Sequence, residues 1–572
     1  MSVDLQTGYA EGFRRGRCPR LFCGRKLRGK AASACGALTP ALFAVVFILA
    51  GITRAETLQS SNDQKSVRGT VINAVTRQPI PRALVHSADD RYATMTDSDG
   101  QFEFTPPPGT QIWLLARRPG FLGDRNNGRA IETSSGSEIT IPLTPEAIIK
   151  GRVSTSTGDT LPRIGVQLLA RQIRDGFARW TTAGMVQTKS DGSFRFADLA
   201  SGSYKVMTQE SLDRDPAIAI PGAQSFGFPP VYFPAATDFS GGATIDLTAG
   251  QTFVADLTVT DQPYYPVKIP VAGADMNGGM DVRVTLQGRS GPGYSLGYNA
   301  STQKIEGSLP NGSYTVRAFR YGPDSASGEV NLRVAGAPAE GSALTLTRSS
   351  SVTINVQEVF TQNDQEGPSF GGTTDFHQPH GPQSYLYPRL EPADDFAHWG
   401  GGAVRPQNNP NDNSIVLENV LPGRYWLRWN TGRGYVASAS MGGIDLLHQP
   451  FEVASGSNIP IEITLRDDTA TLQGTLSNLS SPAGTSQAWI YCVPLPDSPG
   501  QFPETSLGSS DGKFSLTGIA PGTYRVLAFA SPQPDLPYRD PGAMRAYEAK
   551  GQLVQLTAGQ SASVQLQIIP DE

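Results

Sequence analysis

The chain has 572 residues, of which 62 are Gly and 44 Pro, while charged residues make up only 17% and aromatics 8%. Breakers at nearly one residue in five exclude a coiled coil or a helical bundle, and 38% hydrophobic content excludes disorder along the whole chain. The net charge of -5 is unevenly spread, with nine basic against two acidic residues over positions 1–55, so the acidic remainder argues against a phosphate-neutralising nucleic-acid surface.

Residues 1–55 open with basic groups from Arg14 to Lys30, continue with the apolar run Ala41–Ile52, and end in Thr53-Arg54-Ala55. That order is the order of a secretory signal peptide, with small residues at the −3 and −1 positions of a cleavage site. An uncleaved anchor is the alternative, because 31–53 is free of charge and long enough to span a bilayer with tilt. Pro40 and the short strongly apolar part favour cleavage and a chain beginning near Glu56. Cys18, Cys23 and Cys35 all lie in this segment, which leaves Cys492 alone and no internal disulfide framework. No later apolar segment approaches membrane-spanning length. The expected location is the periplasm, the cell surface or the extracellular space, with membrane anchoring if the leader is retained.

Beyond the leader one pattern recurs. It consists of an Asp-Gly turn, a short alternating strand, a second glycine turn and a strand opening with Tyr. The first copy reads Asp99-Gly100-Gln101-Phe102-Glu103-Phe104 and reaches Pro108-Gly109, with Gln111 in place of Tyr. The second runs from Asp191-Gly192 through Phe194 and Phe196 to Gly202-Ser203-Tyr204. A weak third keeps Ile305 and Asn311-Gly312-Ser313-Tyr314, and a fourth has Asp412-Asn413, Ile415, Leu417 and Gly423-Arg424-Tyr425. The fifth returns to Asp511-Gly512, Phe514, Leu516 and Gly522-Thr523-Tyr524. Asp-Gly supplies the positive φ of a tight hairpin. In Phe-x-Phe both rings face one side of a sheet, and the Tyr enters a core with its hydroxyl free to bond backbone, as in a tyrosine corner.

The second glycines, at 109, 202, 312, 423 and 522, are spaced as one small β-sandwich per repeat requires. The expected fold is therefore all-β, a tandem array of about five transthyretin-like or immunoglobulin-like β-sandwiches after the N-terminal segment. The expected divisions are 67–146, 147–262, 263–349, 350–467 with a long loop insertion over Gln362–Asn413, and 468–572. Opening strands are expected at Val67–Ile72, Ile148–Val153, Val352–Val356 and Ala470–Leu476, and the one helix at Ala543–Lys550, after Asp540-Pro541.

Gly69-Thr70-Val71, Pro79-Ile80-Pro81, Ala83-Leu84-Val85 and Thr96-Asp97-Ser98-Asp99-Gly100-Gln101-Phe102 resemble the carboxypeptidase regulatory-like domain. The resemblance covers 67–121 and 149–207 well, 470–530 fairly and the two middle repeats faintly. It implies a transthyretin-like sandwich of the kind found in bacterial envelope proteins. It transfers no active site, because in the metallocarboxypeptidases this domain is an appendage without catalytic residues. Similar sandwiches include carbohydrate-binding folds, which implies a ligand class and not a site.

Catalytic chemistry is sparse. None of His86, His377, His380, His398 and His448 is followed by Glu three residues on, and the chain has neither His-Glu-x-x-His nor Cys-x-x-Cys. Gly293-Tyr294-Ser295-Leu296-Gly297 matches the nucleophile-elbow spacing, but a loop and a strand are expected after Ser295 where a helix is required. Asp97-Ser98-Asp99-Gly100 begins like a calcium loop without its later Glu, so a hairpin turn is expected. His377, His380 and Asp375 read as a polar loop before they read as a metal site. No enzyme activity, metal or cofactor is expected.

The repeat with most aromatic residues is the fourth, with Trp399, Trp426 and Trp429. The residue after each repeat Tyr is Lys205, Thr315, Trp426 or Arg525, and strand alternation puts this position on the face away from the core. Trp426 and Arg428 are expected either beneath the Gln362–Asn413 insertion or as an exposed aromatic and cationic surface, with Trp399 and His398 nearby. An exposed surface of this kind suits a polysaccharide; the alternative is a scaffold that binds another envelope protein.

Overall fold

The local chemistry of the repeat is visible in a computed structural model, which describes residues 66–570 apart from 106–110, 124–130, 135–137, 213–223, 274–278, 323, 362–380, 397–401, 408–413, 457, 478–487, 497–503 and 509–510. Gly100, Gly192 and Gly512 have φ of 71°, 73° and 76°, a region that costs a side chain free energy. At Gly100 and Gly192 a Cβ would also lie 2.8 and 2.7 Å from the Val71 and Val153 carbonyl oxygens. The preceding aspartates brace these turns. Asp97 accepts from the amides of Asp99 and Gln101 at 2.9 and 2.8 Å, and Asp191 accepts from Ser193 at 3.0 Å. The Asp97 carboxylate is thus engaged in a hairpin turn.

Each Phe-x-Phe or Phe-x-Leu strand lies antiparallel to its opening strand, with Gly69 opposite Phe102, Gly151 opposite Phe194 and Gly474 opposite Phe514. On the other edge the opening strand runs parallel to the strand that closes the repeat. These glycines are required by contact. A Cβ at Gly69 would fall 2.3 Å from the Ile139 carbonyl oxygen, at Gly151 2.2 Å from that of Ala255, and at Gly474 2.4 Å from that of Val564. The first phenylalanine of each motif lies over the same glycine, with ring atoms at 2.7, 2.9 and 2.4 Å from that Cβ position.

The repeat tyrosines close the opposite sheet. Tyr204, Tyr314, Tyr425 and Tyr524 are all buried, and each hydroxyl donates to the carbonyl four residues earlier. The acceptors are Ala200, Pro310, Leu421 and Ala520, at 2.9, 2.8, 2.8 and 2.6 Å. Burial lifts the Tyr204 hydroxyl above its ordinary pKa, and the Tyr425 hydroxyl to about 12. The hydroxyl therefore stays neutral and donates to backbone.

The outcome is all-β, with 59% strand and 3% helix among the described residues. Five hydrophobic clusters follow one another, within residues 67–143, 147–259, 267–346, 352–465 and 470–566. In the first, a three-stranded sheet of Gln101–Phe104, Val67–Asn73 and Glu138–Leu143 faces a four-stranded sheet of Ala93–Met95, Leu84–Ser87, Gln111–Arg117 and Ile131–Ser134. The second and fourth clusters also have two sheets each, while in the third and fifth the strands join into single sheets of ten and seven strands. Gln262–Gly273, the first strand of the third cluster, also pairs with Ser225–Phe228 of the preceding repeat. In the last repeat the helix runs over Pro541–Met544, shorter and earlier than expected. Asp540 caps it by accepting from Gly542 and Ala543 at 2.9 and 3.2 Å, and a 3₁₀ turn follows at Arg545–Tyr547. This segment covers the outer sheet face around Tyr491, Leu527 and Phe529. Among the described residues no helix is long and apolar enough to cross a membrane. The leader and its cleavage site lie outside the described residues.

Candidate functional site

The strand Gly423–Thr431 alternates as the sequence requires. Tyr425, Leu427 and Trp429 enter the core of the fourth repeat, which leaves Trp426 and Arg428 on the opposite face. That face is not open to solvent. Arg428 is 0% exposed and Trp426 is half-buried, so of the two expected arrangements the face takes a covered one. The insertion's strand Leu386–Pro392 lies beside Gly423–Thr431, with Glu391 opposite Trp426.

Among the described residues, cover also comes from the second repeat. Strands Gly165–Arg174 and Phe177–Gln187 form a hairpin, turned by Asp175 and Gly176 at φ of 46° and 78°. Phe177, the first residue after the turn, stacks on Trp426 with ring centroids 5.2 Å apart and planes inclined by 29°. The Arg428 guanidinium carbon lies 4.8 Å from the Trp426 centroid and 5.7 Å from that of Phe177, within range of cation–π attraction. Below the rings, Glu391 is shared. Its Oε2 accepts from Arg428 Nε at 3.0 Å, and its Oε1 pairs with Arg179 Nη2 at 3.1 Å. Arg179 also donates to the Pro392 carbonyl. Nearby, the Trp180 amide donates to Asp395 at 3.3 Å, and Arg389 pairs with Asp175 at 3.1 Å.

The fifth repeat completes the junction. Arg539 donates from its amide to the Gly176 carbonyl at 3.2 Å and from Nε to the Asp175 carbonyl at 2.9 Å. The Tyr538 ring presses on Gly176 so closely that a Cβ there would lie 2.8 Å from it. Burial pulls the Arg428 guanidinium down to about 10, helped by repulsion from Arg539 and opposed by Glu391. Burial also raises the Asp395 carboxyl, against the Trp180 amide and Arg179. Trp399 and His398 lie outside the described residues, as do His377, His380 and Asp375.

A second junction joins the second repeat to the third. Lys205, expected to face solvent, is buried. Its ammonium donates to the carbonyls of Phe239 and Gly242 at 2.8 and 2.7 Å and sits 4.3 Å from the Phe239 ring centroid. Burial lowers its pKa, partly offset by Asp238. The Tyr232 hydroxyl reaches the Pro292 carbonyl at 2.5 Å. Ser295, at the centre of the nucleophile-elbow pattern, donates through both its amide and its hydroxyl to Glu210 Oε2 at 3.0 Å. The strand Gly297–Asn299 follows it, not the helix an elbow requires, and Ser295 ties two repeats together. The first junction joins repeats through buried charge and stacked rings, and the second through the hydrogen bonds of Tyr232 and Ser295.

The sequence reading missed Phe177, Arg179, Glu391 and Arg539. The available signal was an aromatic residue directly after the Asp175-Gly176 turn, where a solvent-exposed hairpin tip has no use for one.

Residues 66–144 match the family model of the carboxypeptidase regulatory-like domain. No curated protein matches the chain. Among solved structures, the chain is similar to the Bacillus anthracis TIE protein at 12% identity, covering 49% of each chain, with a TM-score of 0.15. The minor pilin of Streptococcus agalactiae matches at 13% identity over 35% of this chain and 96% of its own, with a TM-score of 0.18. The pilus adhesin SpaC of Lactobacillus rhamnosus GG matches at 11% identity over 49% of this chain and 43% of its own, with a TM-score of 0.16. The chain thus spans about half the length of the first of these proteins.

Proposed function

We propose that this chain is an exported, non-catalytic scaffold of the cell envelope or surface, built of five sandwiches divided near residues 146, 262, 349 and 467. The observation that carries this reading is the junction of Phe177, Arg179, Glu391, Trp426, Arg428 and Arg539. It holds repeats to one another through aromatic and cationic side chains, across separations of 213 to 364 residues. Fixed repeats present their remaining loops and sheet edges to a partner protein in one geometry. The basic and then apolar leader supports export, with residues 1–55 removed.

Polysaccharide binding through Trp426, Arg428, Trp399 and His398 is the second reading. The stacked tryptophan and guanidinium favour it, and it requires the Phe177 hairpin to withdraw. A glycan array run beside cross-linking at the cell surface, with wild-type and Trp426→Ala chains, separates the two. The scaffold reading expects a silent array and the same envelope adduct for both chains. A defined sugar preference abolished by Trp426→Ala would overturn it.

A further inference from the structure

We propose that the Arg428 junction is a binding site for one small monovalent anion of the size and charge of chloride, held by the Nη1 and Nη2 groups of Arg428. Only Nε of this guanidinium has a hydrogen-bond acceptor, the Glu391 carboxylate at 3.0 Å. Nη1 and Nη2 are both buried and have no partner, and the same holds for Nε of Arg179. Four N–H groups of a charged side chain that is 0% exposed are therefore left without an acceptor. This is an arrangement that folded proteins avoid, because burying an unpaired cationic donor is costly. Stacking on Trp426 and Phe177 satisfies the face of the guanidinium but not its edge, where the N–H groups point.

The charge balance points the same way. The two most enclosed cations, Arg428 and Arg179, share the single carboxylate of Glu391. Asp175 faces Arg389, and Asp395, which accepts from the Trp180 amide, also faces Arg179. Arg539 adds a further positive charge close enough to disfavour the charged form of Arg428. The enclosed set is one negative charge short. Lys205 shows how this chain treats a buried cation that needs nothing more, because its ammonium meets two carbonyls and an aromatic ring. A monovalent anion on the edge of Arg428 would satisfy the donors and neutralise the junction together, whereas a water molecule would do only the first.

The test is thermal unfolding of the full chain with sodium chloride replaced stepwise by sodium gluconate at constant ionic strength. Gluconate is too large for an enclosed site. Chloride should raise the midpoint of the transition that includes the junction by about 2 °C, in a saturable manner. The chloride-35 resonance should broaden with added protein, and bromide should reverse the broadening. Arg428→Met should lose both responses. The wild-type resonance measurement stands by itself if that variant fails to fold. Equal midpoints in the two salts, an unbroadened resonance, or responses undiminished in a folded Arg428→Met chain would each overturn the proposal, the last by marking an adventitious ion only.

Discussion

The second and fourth repeats each bury a cation on the outer face of the sheet that carries the repeat tyrosine, and they do so by opposite means. Lys205 is satisfied within its own repeat, by two carbonyls of the segment 239–242 and the Phe239 ring. Arg428 depends on Glu391 from its own repeat, on Phe177 from the second, and sits beside Arg539 of the fifth. The chemistry of the two side chains accounts for part of the contrast. An ammonium is a compact charge that carbonyls can surround, while a planar guanidinium stacks between rings and bridges carboxylates. One cation fastens a loop to its own sheet, and the other joins three repeats.

This contrast sets where damage should spread. Glu391→Gln leaves Arg428 and Arg179 buried without a counter-charge, and removing one partner of a buried pair costs about 3–5 kcal/mol. Hydrogen-exchange protection should fall in both Leu386–Pro392 and Phe177–Gln187, and a loss confined to the fourth repeat would break the comparison. Lys205→Met removes the ammonium from the Gly242 carbonyl and one of two donors from the Phe239 carbonyl, at about 2 kcal/mol. Its loss of protection should stay within Gly202–Thr208 and the segment 232–243. Tyr524→Phe removes the buried hydrogen bond to Ala520 and should cost about 1 kcal/mol within the fifth repeat. An effect that reached the second repeat would show that the interior of one sandwich and the junction are coupled.

The interior of each repeat was readable in the sequence because its determinants are local. Asp99-Gly100, Asp191-Gly192 and Asp511-Gly512 specify turns by φ, Phe-x-Phe specifies a face by alternation, and Tyr two residues after glycine bonds a carbonyl four residues back. The glycines at 69, 151 and 474 carried a further signal, since their close contacts fix where the first phenylalanine and the closing strand lie. The outer faces were not readable. Lys205 and Thr315 each follow the repeat tyrosine and are only 7% exposed, although a polar residue at an alternating position suggests solvent. What covers such a face comes from far along the chain, as Arg539 reaches Asp175 across 364 residues, and no period or local motif encodes that approach. The first repeat shows the uncovered case, with Trp113 and Met95 exposed at 47% and 54%.

The claim that the second and fourth repeats are held together through their outer faces is tested most directly by a double-mutant cycle on the full chain. The variants are Phe177→Ala, Trp426→Ala and the pair, and the readout is the opening free energy of the junction from hydrogen exchange. Two rings stacked at 5.2 Å should show a coupling energy of about 1 kcal/mol beyond the sum of the single effects. Strictly additive effects would mean that Phe177 and Trp426 do not meet in solution, and would contradict the account.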